Sequence, residues 1–346
     1  YEIGVRLVGS EMCIRDRLTT ATLLTMALAG NVQAAEIRSV GPDGEAAVDA
    51  STIELTDDQI AQIKEGGYTA AICLHYGGND WSTSQQKGLE DTFGELGIEI
   101  VAVTDANFSA ETQVSNIETV MAKKPDILVS IPTDATATAD AYKQAAAAGI
   151  KIVFMDQRAN GLEAGKDYVS VVSADNYGNG YASGTVLGDA LGGKGKVAMV
   201  YYDANFAPTN QRDEGFRDAM KNYPDIEIVT EQGFTDESGC AEQGDAILTQ
   251  FPNIDGIYAS WDVPMEGVLS AVRAAGMEGK VTLACNDLGN NVAREIASGN
   301  IAGGGAQMPY DQGVAEAKLA ALALLGEETP SYVAVPALSL IHISEP

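Results

Sequence analysis

YVSVVSADNYGNGYASGTVLGDALGGKGKVAMVYYD, residues 168–203, joins one apolar run to another through a segment of small residues. How that middle segment is read decides the fold. Gly178, Gly180 and Gly184 stand just after an apolar strand, where glycine-rich turns cradle dinucleotide phosphates at a helix start. The spacing is GxGxxxG, with the third glycine one place late, and only Asp203 offers an acid at the end of the next strand. Small residues that let a helix pack closely are the better reading.

Working outward, the runs on the amino side are TAAICL (69–74), IEIVAVT (98–104), DILVSI (126–131), KIVFMD (151–156) and YVSVVSAD (168–175). A second series follows: KVAMVYYD (196–203), IEIVTEQGF (226–234), GIYASWD (256–262), KVTLACND (280–287) and IAGGGAQ (301–307). Between them lie helix-period segments such as QQKGLEDTFGELG and AREIASG, so the pattern is βα repeated. Continuous apolar strands alternating with helices predict parallel sheets covered on both faces. Two series predict an α/β fold of two doubly wound domains.

Both ends of the chain look foreign. The closing LSLIHISEP (338–346) can be encoded by CTG TCT CTT ATA CAC ATC TCC GAG CCC, and the complementary strand of that DNA reads GSEMCIRD, which stands at 9–16. The DNA resembles a transposon-derived sequencing adapter, so residues 1–16 and 338–346 are expected to be adapter-derived, and Cys13 and His342 drop out as candidate ligands. Residues 17–35 are expected to be a partial signal peptide: an apolar run leads to Val32-Gln33-Ala34-Ala35, the small-residue pattern of a cleavage site. Secretion is the expectation that follows. Residues 36–66 are polar, carry one helical candidate, LTDDQIAQIKEG, and are expected to pack on the surface as a leader.

Without the adapter ends about 320 residues remain, enough for two ordinary domains. With 49 acidic against 21 basic residues, a formal charge of -28 opposes any phosphate backbone or anionic membrane surface. Nucleic acid is excluded as a partner. Cys73, Cys240 and Cys285 are far apart without a CxxC, and His75 has no second imidazole, so no metal site is expected. Neither a P-loop, an HExxH nor a GxSxG elbow occurs, so no catalytic residues and no cofactor are expected.

Ligands of doubly wound sheets bind beyond the carboxyl ends of the strands. Asp105, Asp134, Asp156, Asp175, Asp203, Asp262 and Asp287 all stand there, and helix capping accounts for many such acids. Trp81, in the loop HYGGNDWS, and Trp261, ending GIYASWD, are the two tryptophans. They occupy strand ends of opposite halves, where rings can face one cleft.

At this point several stretches, taken in order, resemble a known family: DILVSIPTDA, KIVFMDQRA, VSADNYGNGYASG, NQRDEGF, YASWDVPMEG and CNDLGNNVAREIASGNIAGGGAQMPYDQG. From Tyr68 to Ala337 the chain resembles the ribose-type periplasmic sugar-binding proteins of ABC importers. The resemblance implies a first lobe of 67–174 plus 304–337 and a second of 175–303. It implies crossovers near Ser173–Asn176, Ala306–Pro309 and Ala334–Ala337, then a return to the first lobe with a final helix that the adapter residues replace here. It further implies a monomer that closes on a sugar or polyol, performs no chemistry, and delivers it to permease subunits in the inner membrane. Carried over, its ligand contacts fall on Asn79, Trp81, Asp156, Arg212, Trp261, Asp287 and Gln307.

Two departures matter. The family commonly has arginine directly after the first acid, whereas Gln157 follows here and Arg158 comes second, so either can point inward. Trp261 replaces a smaller polar residue of the ribose binders. The alternatives are an NAD(P)-dependent α/β enzyme using the glycine segment and the effector domain of a sugar-responsive repressor. The signal-like segment, and no basic helix-turn-helix ahead of the domain, disfavour the repressor.

Overall fold

The computed structural model describes residues 3–7 and 36–342, with side chains from 36 to 341. The signal segment at 17–35 lies outside the described residues, as do the expected adapter residues other than 3–7 and 338–342. Two seven-stranded sheets form two lobes. In spatial order the first holds Val48–Asp49, Tyr332–Val335, Ser170–Ala174, Lys151–Met155, Ile127–Ser130, Thr69–Leu74 and Glu99–Asp105, all parallel. The second holds Ile3–Leu7, Leu338–His342, Gly303–Ala306, Thr282–Cys285, Gly256–Ala259, Lys194–Tyr202 and Asp225–Phe234. Its last five strands are parallel, and Leu338–His342 runs antiparallel at their edge.

Each lobe carries its main strands in the order second, first, third, fourth, fifth. The connections that follow the first and third strands therefore go to opposite faces of the sheet, which opens a crevice at the carboxyl ends of these strands. Apolar clusters cover both faces of each sheet, which is why Ser170–Ala174 and Ile127–Ser130 are buried along their whole length instead of alternating.

The small-residue segment forms the helix Asn176–Ala190, which packs on the helix Ala207–Met220. A Cβ on Gly180 would stand 1.8 Å from the Arg212 carbonyl oxygen, and one on Gly215 would stand 2.1 Å from that of Tyr177. The glycines are needed for this contact. The first lobe repeats it: helices Asp80–Leu96 and Pro309–Leu324 meet through Gly88 and Gly313, where a Cβ would come within 2.2 Å of the Tyr310 oxygen and 2.3 Å of the Gln85 oxygen.

Three boundaries differ from expectation. Gly303–Ala306 belongs to the second sheet, in keeping with the run IAGGGAQ, so the return to the first lobe falls after Ala306 and not at 304, where the resemblance puts it. Residues 36–66 are not merely a surface leader. Val48–Asp49 extends the first sheet, and the helix Asp57–Gly66, closed by a Thr56/Gln59 capping box, buries Ile63 in the first core. Beyond the third crossover the chain does not re-enter the first lobe: Leu338–His342 pairs with Gly303–Ala306 and with Ile3–Leu7 in the second sheet.

Candidate functional site

Strand-end loops of both lobes converge on one cleft. In the first lobe the chain leaves Leu74 through His75, and Asn79 caps the helix Asp80–Leu96 by accepting from the Ser82 amide. Trp81 follows in the first turn and donates from its indole to Gln307 Oε1 at 3.2 Å. The fourth strand ends at Asp156, which has φ 55°. In the second lobe the corresponding strand, Thr282–Cys285, is followed by Asp287, with φ 68°. Left-handed backbone is uncommon for non-glycine residues and best tolerated by Asp and Asn.

The two acids are held differently. Asp287 accepts from Arg212 Nη1 at 3.0 Å and from the Gln307 amide at 2.6 Å. Arg212 is itself fixed, donating from Nε to Asn176 Oδ1 at 2.8 Å and from Nη1 to the Ser260 carbonyl at 3.3 Å. Asp156 accepts only from neutral groups, Ser173 Oγ at 2.8 Å and the Gln312 amide at 3.2 Å. Burial pushes its carboxyl above the usual range, against the pull of Arg212.

Rings wall the space between them. His75 stacks on Phe206 of the opposite lobe at 5.7 Å and meets Trp81 and Phe108 edge-on. Trp261 packs against Tyr202 and Phe234 and donates its indole N–H to Glu237 at 3.2 Å. Burial holds His75 down to about 4, so its ring is neutral, and its Nδ1 has no partner. The enclosed space is about 60 Å³ and opens past Trp81 and Gln307 into a mouth of about 730 Å³. Ordinary ligand clefts hold roughly 300–1,000 Å³, so a solute enters only as the lobes part. At the mouth Asp80 of the first lobe accepts from the Asn290 amide of the second at 2.7 Å.

Of the residues singled out in the sequence, Asn79, Trp81, Asp156, Arg212, Trp261, Asp287 and Gln307 line this enclosed space. Gln157 and Arg158 do not. Gln157 is buried beside it, donating to the Pro132 carbonyl and accepting from the Ala207 amide, and so ties the lobes together. Arg158 turns away to the Leu162 carbonyl and Asp43, which corrects its assignment to the cleft. Capping of the next helix accounts for Asp175, which accepts from the Gly178 amide; Asp134 instead takes the Thr136 and Ala137 amides of the turn after it, and Asp262 takes the Gly289 amide of a neighbouring loop. Burial and the neighbouring Asp287 charge push Asp262 to about 7.

His75, Phe108, Tyr202, Phe206 and Glu237 also line the space and had not been singled out as contacts. The strand-end rule reaches His75 and Tyr202. Phe206 and Glu237 sit in polar connections whose paths only the folded chain reveals. Among the described residues no group of three or more His, Cys, Asp or Glu could hold a metal ion, and no helix is long and apolar enough to cross a membrane.

Comparison with known proteins agrees with this architecture. The ribose import binding protein of Bacillus subtilis is 27% identical over 213 residues, 61% of this chain and 67% of that protein. The D-allose-binding periplasmic protein of Escherichia coli is 26% identical over 255 residues, 72% of this chain and 82% of its own. Among solved structures, an ABC transporter periplasmic solute-binding protein from Actinobacillus succinogenes with bound D-allose superposes with a TM-score of 0.72 at 28% identity, covering 79% of this chain and 97% of that one. A solute-binding protein from Agrobacterium vitis bound to α-D-tagatopyranose gives 0.74 at 26% identity, covering 80% and 94%. The model of the periplasmic binding protein domain matches residues 70–328, and with two doubly wound lobes facing one cleft the chain belongs to that family.

Proposed function

We propose that the two lobes close on a sugar or sugar alcohol and present it to the permease of an ABC importer, and that the chain performs no chemistry on what it binds. One observation carries this reading: acids ending equivalent strands of opposite lobes, one arginine and two indoles line a single enclosed gap. Vicinal hydroxyls donate to Asp156 and Asp287, Arg212 donates to neighbouring oxygens, and Trp81 and Trp261 cover C–H faces. Hydrogen bonds to charged groups contribute about 1.5–3 kcal/mol each, so three or four sustain micromolar affinity after the cost of association. Sugar-bound relatives support the ligand class. The dinucleotide reading loses its loop, because the glycine it needs at 180 is consumed by a helix contact.

The bond from Asp80 to Asn290 and the Gln157 bridge form only when the lobes meet, and a closed pair of lobes gives a permease one continuous surface. The site of action is the periplasm, reached through the signal segment at 17–35, and the working form is a monomer. A thermal-shift screen against pentoses, hexoses and polyols tests this. A stabilising shift from at least one sugar is expected, and Asp156→Asn removes it; full binding by that variant overturns the site assignment.

A further inference from the structure

The charges of the enclosed space do not balance. Asp156, Glu237 and Asp287 line it against one guanidinium, Arg212, which is already committed to Asp287. Gln157, buried beside the space, is neutral, and Arg158 points out to Asp43. Among the described residues neither Asp156 nor Glu237 has an ion pair; Glu237 takes hydrogen bonds from the Trp261 indole and the Tyr76 hydroxyl. His75 adds no positive charge, being neutral, and its unpartnered Nδ1 can accept a proton donor. Burial holds the carboxyls of both Asp156 and Glu237 above their usual range, that of Asp156 despite the pull of Arg212.

Resting on the reading of this cleft as a sugar site, we propose that its solute carries a protonated amino group: an amino sugar or amino polyol whose ammonium lies against Glu237 and the rings around it. A neutral sugar offers hydroxyl donors to the acids but leaves their charge uncompensated once closure expels water. An ammonium answers the charge and also finds Trp81, Phe108, Phe206 and Trp261 lining the same space, whose ring faces attract cations. The same walls suit the C–H faces of the rest of the sugar.

Calorimetric titration at pH 7 tests this on the full chain, comparing D-glucosamine, D-galactosamine and D-mannosamine with their parent hexoses and their N-acetyl derivatives. At least one amine is expected to bind about tenfold or more tightly than both its parent and its acetylated form, in which the charge is gone. Glu237→Gln is expected to erase that preference, so that on this variant the amine binds no more tightly than its parent hexose. Gln157→Arg, which adds a cation at the edge of the cleft, is expected to reduce the preference as well and stands independently should the first variant fold poorly. Parent hexoses binding as well as or better than the amines on every scaffold overturn the proposal and leave sugar capture standing. Failure of the entire panel, pentoses and polyols included, overturns sugar capture itself.

Discussion

Asp156 and Asp287 occupy the same place in two lobes of the same topology, just past the fourth strand and in left-handed backbone. Their surroundings differ. Asp287 is met by a guanidinium from the helix Ala207–Met220, whereas Asp156 has neutral donors in front and a second carboxyl behind. That carboxyl, Glu316, is fully buried, and burial pushes it well above the usual range. Equivalent backbones therefore set where an acid stands, and the neighbouring helix sets whether its charge is already answered. One lobe arrives at closure neutralised; the other arrives in need of donors.

The sharpest way to break this contrast is to neutralise each acid in turn. Asp287→Asn leaves Arg212 buried without its counter-charge, a defect that costs about 3–5 kcal/mol, and denaturant unfolding at pH 7 reads it as an equally large fall in stability. Asp156→Asn keeps the oxygen that Ser173 and Gln312 use and removes only a poorly solvated charge, so its loss is expected below about 1 kcal/mol. The sign of the pH dependence follows. The folded-state pKa of Asp156 is raised, so its favourable contribution is present below the unfolded pKa and is lost as pH rises through the folded value. Asp156→Asn should thus gain on the wild type between pH 4 and pH 7. Equal penalties for the two variants would show that the lobes are electrostatically alike.

A smaller effect is expected at the mouth. The start of the helix Asn290–Ala297 takes one cap from its own lobe, Asp262 on the Gly289 amide, and another from the opposite lobe, Asp80 on the Asn290 amide. Asp80→Ala removes only the bond that exists on closure. A cap is worth about 1 kcal/mol, so titration should show affinity weakened about fivefold with stability almost unchanged. The smallest effect belongs to Arg158→Ala. Its pair joins a largely covered guanidinium to the exposed Asp43 carboxylate at the surface and contributes about 0–1 kcal/mol, so stability should fall by no more than that and affinity should hold.

Much of this architecture is legible in the sequence because strands covered on both faces must be apolar throughout, and runs such as DILVSI and KVAMVYYD have no other place in a soluble chain. The run IAGGGAQ likewise announces the strand Gly303–Ala306, and the lobe boundary that the resemblance implies at 304 cuts through it. The resemblance supplied positions for the acids and Arg212, yet it could not aim Arg158. That direction depends on the left-handed turn at Asp156, a property of the folded backbone that no residue type announces. Glu237 stayed hidden because its position follows from the path of the chain after Phe234.

The reciprocal glycine contacts have a mechanical consequence. Helices seated backbone to backbone leave no side-chain layer to shear, so each half turns as a stiff plate and compliance concentrates in the three short strands of chain between the plates. A pair of dyes, one on each plate far from the gap, would therefore report solute capture as a clean change in separation, undiluted by internal give.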